Sequence, residues 1–259
     1  SLAHLKRCEH SVFTQKKACI QLAAVYRRMG RGEEADKYSR KADTLPQDHS
    51  WLDPFLAETR TIGRPARFQQ VAYLELRGDY RAAVEQLTEL IQERPEYRAY
   101  VALGADLAKL GELAQAEKVL RSAIAMAPEK FRAYYELSRL LWMRAETDER
   151  EDSERSRAEY EEAAACARRA IAQRSDYAMA HVILGMSLRR LGKRQEAIDA
   201  FRTAVECSPN LADPHLYLGE TLADAGQTAE ARTSLERAVQ LAHPEDPRPR
   251  AALARLKKN

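Results

Sequence analysis

The nine residues GMSLRRLGK (185–193) come nearest to a phosphate-binding loop in this 259-residue chain. That chemistry needs two glycines separated by four residues, then Lys and a hydroxyl residue that reaches magnesium. Here six residues separate Gly185 from Gly192, and Arg194 stands where Ser or Thr is required. His181 and His215 hold equivalent places in two related stretches, with Cys207 between them. Imidazole and thiolate are zinc ligands, but a tetrahedral site needs a fourth ligand and tight geometry, so packing on successive helices fits these residues better. No HExxH, GxSxG or Ser/His/Asp constellation occurs. The sequence therefore predicts no catalytic residue, no metal site and no cofactor, and leaves recognition as the chemistry to locate.

Composition says what must position such a surface. The chain is 31% charged and 45% hydrophobic, with only 10 Gly and 10 Pro, and is rich in Ala, Glu, Arg and Leu. These residues lose little side-chain freedom in a helix. A net charge of +3 is too small to argue for nucleic acid or a membrane surface. No apolar run approaches the ~18 residues of a spanning helix, so no membrane insertion is expected. The opening SLAHLKRCEH lacks an initiator Met and any signal peptide, and reads as an excised or processed fragment. Four cysteines, Cys8, Cys19, Cys166 and Cys207, form no CxxC and are expected as free thiols; Cys8 and Cys19 are the one pair placed to approach each other.

Three stretches align without gaps: 100–129, 181–210 and 215–244. Each carries Leu-Gly (103–104, 184–185, 218–219), then a second glycine (Gly111, Gly192, Gly226), then an Ala–large–Ala series. That series is Ala116, Leu120, Ala123 in the first, Ala197, Phe201, Ala204 in the second and Ala231, Leu235, Ala238 in the third. Small residues let two helices cross closely and the large one fills the space between. The second glycine suits a helix end, where a left-handed residue costs little. Pro128, Pro209 and Pro244 follow the second helix. Each unit is a helix hairpin that buries its apolar face only by stacking on its neighbours. Weaker copies lie at 16–49, 64–97 and 131–177.

This pattern resembles the tetratricopeptide repeat family over nearly the whole chain. The resemblance implies an all-α, right-handed superhelical solenoid of antiparallel helix hairpins. The expected order begins with the second helix of a truncated preceding repeat (1–15), repeat 1 (16–49) and an inserted short helix (50–63). Repeats 2 and 3 follow (64–97, 98–130), then a lengthened repeat 4 (131–177), repeats 5 and 6 (178–211, 212–245) and a capping helix (246–259). In this family the first helices line a concave surface, and repeat positions 2, 5, 9, 12 and 13 point into it. Carried over, these positions are Arg98, Val101, Ala105 and Lys109; Arg132, Tyr135, Arg139, Trp142 and Met143; Met179, Val182, Met186, Arg189 and Arg190; and Asp213, Leu216 and Glu220. Trp, Tyr, Met and Arg are enriched at binding hot spots. The implied function is a non-enzymatic scaffold that binds a protein or peptide in this groove, with acidic residues suiting its arginines. Tyr135 and Trp142 fit the core between repeats as well as they fit the groove. Chaperone-binding members clamp a carboxylate with Lys and Asn. The corresponding positions here hold Ile20, Ala24, Val101, Ala105, Val182 and Met186, which argues against that partner.

Two places depart from the repeat. Gly30 and Gly78 are 48 residues apart, and the surplus includes SWLDPF (50–55). Asp53 suits an N-cap and Pro54 the first helical position, so an unpaired helix is expected there. Trp51 and Phe55 read as a brace at the joint or, alternatively, as a plug in the groove. The second surplus, near 145–162, holds nine acidic residues against three Arg and predicts a lengthened, charged hairpin tip. The Trp-x-Asp-Pro-aromatic insert is also similar to one in bacterial repeat proteins, some of which carry c-type haem domains. The alternative function is therefore an accessory or positioning arm of a larger enzyme or electron-transfer protein. Self-association through exposed solenoid ends is a third possibility.

Overall fold

The computed structural model describes residues 15–44, 64–148 and 153–256. The expected helices at 1–15 and 50–63, and with them Cys8, Trp51, Asp53, Pro54 and Phe55, lie outside the described residues. Thirteen helices and no strand occupy the described residues: α1 Gln15–Arg28, α2 Gly32–Thr44, α3 Arg64–Leu76, α4 Tyr80–Glu93, α5 Tyr97–Lys109, α6 Leu113–Met126, α7 Phe131–Asp148, α8 Ser153–Gln173, α9 Ala178–Arg190, α10 Arg194–Cys207, α11 Ala212–Asp224, α12 Thr228–Leu241 and α13 Arg248–Leu256. Contacts divide the chain into two units, Ser1–Ala72 and Tyr73–Asn259, with the boundary inside α3.

In the first unit, α1 and α2 form a hairpin around Leu22, Tyr26 and Ala35. The Tyr26 and Tyr38 rings stack with centroids 5.5 Å apart, and Arg31 lies over Tyr26.

The second unit is a succession of hairpins. In four of its pairs the described turn is built the same way. Gly111 ends α5 at φ 81°, and the Glu112 N–H reaches back to the Leu107 carbonyl at 2.9 Å. Gly78, Gly192 and Gly226 repeat that geometry. A side chain at such a φ is strained, so glycine terminates these helices while the last carbonyls keep their donors. Three second helices end before proline: Arg94, Ala127 and Ser208 take φ values of −157°, −147° and −147°, outside the helical region that a following proline disfavours.

Within a pair, the first glycine explains the close crossing. A Cβ on Gly185 would meet the Phe201 ring at 2.6 Å, and one on Gly104 would meet Leu120 at 2.5 Å. At the corresponding positions of the fourth pair, α7 carries Ser138 and α8 carries Ala167, both fully buried. Two small residues meet there in place of the Gly–large pairing.

That fourth pair is long: α7 has 18 residues and α8 has 21, against 13 and 14 in α9 and α10. An ion-pair network ties it to α6. The Arg144 guanidinium bonds Glu117 of α6 and Glu159 of α8 (2.8 Å to the latter), and Arg121 joins Glu117 and Glu162 at 2.7 and 2.6 Å. Burial opposes ionisation of Glu117, but the bonds from Arg144 and Arg121 outweigh it and hold the carboxyl below its ordinary range. Burial pushes the Cys166 thiol up to about 11, so it stays protonated and inert. Cys166 and Cys207 are free thiols.

Candidate functional site

Contacts distinguish the two helices of each pair. First helices of successive pairs touch one another (α5 with α7, α7 with α9, α9 with α11, α11 with α13), whereas no comparable contact joins second helices among the described residues. First helices therefore form the inner, more tightly spaced wall, and the candidate residues stand on them.

The wall has a floor, a strip and a rim. Val101, Tyr135 and Val182, expected to line the groove, are 6%, 7% and 1% exposed and belong to the core. Their position is covered by the neighbouring pair: Val101 packs with Ala123 and Ala133, Tyr135 with Ala180 and Ile183, Val182 with Leu218 and Leu222. The Tyr135 ring meets Tyr177 edge-on at 5.0 Å. Above this floor, Trp142, Met143, Met179, Met186 and Arg139 are half-buried. Trp142, Met179 and Met186 rest on the Tyr135 cluster. The Trp142 indole nitrogen is buried without a hydrogen-bond partner, so this residue offers ring rather than N–H to anything above it. Arg98, Arg132, Arg189 and Arg190 form the exposed rim.

The rim arginines for which contacts are resolved have partners within the chain. Arg132 and Arg139 both pair with the buried Glu136, at 3.4 and 3.1 Å. Arg139 also points an N–H at the Met143 sulfur, 3.4 Å away. Arg189 pairs with Glu220 at 3.2 Å and Asp224 at 3.7 Å. Arg190 donates to Glu146 at 2.6 Å, which links the lengthened α7 to α9. The isolated positive charges anticipated from the sequence are thus largely offset. The reason is that Glu136 and Glu146 stand at positions that groove spacing does not bring into view, while Glu220, itself a groove position, comes from the next pair.

The remaining chemical candidates have structural duties. His181 Nε2 sits 2.9 Å from the Ser175 carbonyl and His215 Nε2 3.0 Å from that of Pro209, so each imidazole ties its helix to the preceding turn. No group of three His, Cys, Asp or Glu side chains among the described residues is placed to hold a metal. Gly185 is packed against Phe201 and Gly192 is a helix-ending turn, which accounts for both glycines of the phosphate-loop look-alike. A pocket of about 450 Å³ opens between α9, α11, α12 and α13, lined by Arg189, Glu220, Asp224, Thr228, Arg255 and Leu256. Its charges are mutually paired, Arg255 also meeting Glu220 at 3.4 Å. No described helix is long and apolar enough to cross a membrane.

Stacked helix pairs with glycine turns and an inner wall of first helices define an all-helical repeat scaffold. The chain belongs to the tetratricopeptide repeat family: profiles of that repeat match residues 16–49, 101–150, 152–212 and 188–256. Among solved structures, it is similar to TTC0263, a thermophilic repeat protein of Thermus thermophilus, at 23% identity and TM-score 0.64, over 76% of this chain and 100% of that one. MamA (residue 41 to the end) of Desulfovibrio magneticus RS-1 is 20% identical with TM-score 0.56, over 70% of this chain and 96% of its own. The Cut9–Hcn1 hetero-tetramer of the APC/C matches at 17% identity and TM-score 0.64, over 99% of this chain and 46% of that one. At these identities the likeness is one of fold. No curated protein matches the chain. The repeats mark a protein-interaction scaffold in the general sense, on a fold that is typically non-catalytic.

Proposed function

We propose that the chain holds a protein or peptide partner against the first helices of its third to fifth pairs. The observation that carries this reading is the half-buried strip of Trp142, Met143, Met179 and Met186, bordered by exposed Arg132, Arg189 and Arg190. An apolar centre inside a charged rim is the anatomy of a recognition surface, and thioether side chains adapt to varied partners. The partner chemistry that fits best is a segment presenting apolar side chains to the strip. Acidic residues of a partner must compete with Glu136, Glu220 and Glu146 for the arginines, so they are suited to the rim rather than the centre. The Cut9–Hcn1 hetero-tetramer offers a precedent for this architecture inside an assembly.

Met143→Glu and Met186→Glu replace the apolar strip with carboxylates that Arg139 and Arg190, one turn away, can hold in place. Each is expected to weaken partner capture at least tenfold while helix content and melting temperature stay near wild type. Retained capture by both folded variants removes this surface from consideration.

A further inference from the structure

One position, the tenth of each first helix, is closed off completely in four successive pairs: Asp106, Leu140, Ser187 and Thr221 are each 0% exposed. Ser187 and Thr221 satisfy their hydroxyls one turn back, donating to the Ile183 carbonyl at 2.9 Å and the Tyr217 carbonyl at 2.7 Å. An ionised Asp106 has no proton to donate and needs donors on both oxygens. Lys109 Nζ supplies one, 3.1 Å from Oδ1. Oδ2 is buried and meets no donor. The group within hydrogen-bonding reach of Asp106 is another carboxyl, that of Glu75, half-buried on the end of α3 that belongs to the second unit. Two carboxylates offer each other only repulsion, whereas a carboxyl and a carboxylate are joined by the proton they share.

We propose that Glu75 and Asp106 hold one proton between them and so form a pH-sensitive latch between the end of α3 and α5. Lys109 and Arg98 of α5 face the pair, and the Lys109 ammonium also rests over the Tyr80 ring of α4 at 4.3 Å. Both cations favour ionisation, and burial of the two carboxyls opposes it. Burial, and for Glu75 next the facing Asp106, push both carboxyls above their ordinary range, against the pull of Lys109.

Below the ordinary carboxylate range, folded and unfolded chains both hold the proton, and the latch contributes in full. As pH rises past that range the unfolded chain loses its proton first, so the contribution falls and is gone once the folded pair also ionises. Asp106→Asn keeps the shape, donates an amide N–H toward Glu75 and does not titrate. Its melting temperature is expected to exceed that of the wild type by roughly 2–4 °C near pH 8, with the gap closing toward about pH 5. Glu75→Gln is expected to show the same converging profile, and serves as the second readout because its site is half-buried rather than closed. Measuring thermal unfolding of all three full-length proteins across this pH range decides the matter. Convergence at low pH supports the latch. Variant profiles that run parallel to the wild type, or that diverge as pH falls, overturn it.

Discussion

Phe201→Ala is expected to lower the stability of the second unit by about 3–5 kcal/mol. Phe201 is fully buried, and its ring stacks on Tyr217 with centroids 5.9 Å apart. It packs with Val182, Leu188, Ile198, Leu218 and Leu222, so it joins the fifth pair to the sixth. The space it fills exists because Gly185 has no side chain. Truncation opens a cavity that rigid helices cannot close. Phe201→Leu is expected to cost much less, about 1 kcal/mol, because Leu120 and Leu235 serve the same role opposite Gly104 and Gly219. Urea unfolding of both variants checks the contrast; similar losses for Ala and Leu would show that ring volume does not set the inter-pair packing.

Arg144→Met is the second large effect, expected at about 2–4 kcal/mol. Methionine keeps much of the aliphatic stem, so the loss isolates the charge. The Arg144 side chain is only 17% exposed and serves two carboxylates, Glu117 and Glu159, whose side chains are 22% and 8% exposed. Removing the guanidinium strands Glu159 in a nearly closed site, where Oε2 already lacks a donor. The partly exposed Arg155, 3.4 Å from Glu159, is a weak substitute. Converting all three to neutral residues (Glu117→Gln, Arg144→Met, Glu159→Gln) is expected to recover most of the loss, since a buried pair costs most when only one member is removed. Chemical denaturation of the single and triple variants separates stranded charge from lost packing. A triple variant no more stable than the single would assign the effect to packing.

The hairpin plan was legible because its determinants are local. Glycine turns, prolines after second helices and Gly–large pairings recur at fixed spacing, and each has a physical reason visible in a single repeat. Depth and charge pairing were not local. Val101, Tyr135 and Val182 lie on the expected side of their helices, but how far the next pair covers them depends on that pair's own side chains. The arginine partners are equally distant: Arg190 meets Glu146 and Arg121 meets Glu162 across separations of 44 and 41 residues. Asp106 had a usable signal. Aligning the repeats sets it beside Leu140, Ser187 and Thr221, where a carboxylate is out of place. The SWLDPF insert remains an expectation from the sequence, since it lies outside the described residues.

The most direct test of the central claim is site-specific photocrosslinking. A benzophenone side chain in place of Met186, on the inner wall, is compared with one in place of Lys118, exposed on the second helix α6. A discrete partner adduct is expected from position 186, abolished by Met143→Glu, and none from position 118. Adducts from position 118 alone, or equally from both, would contradict recognition by the first helices.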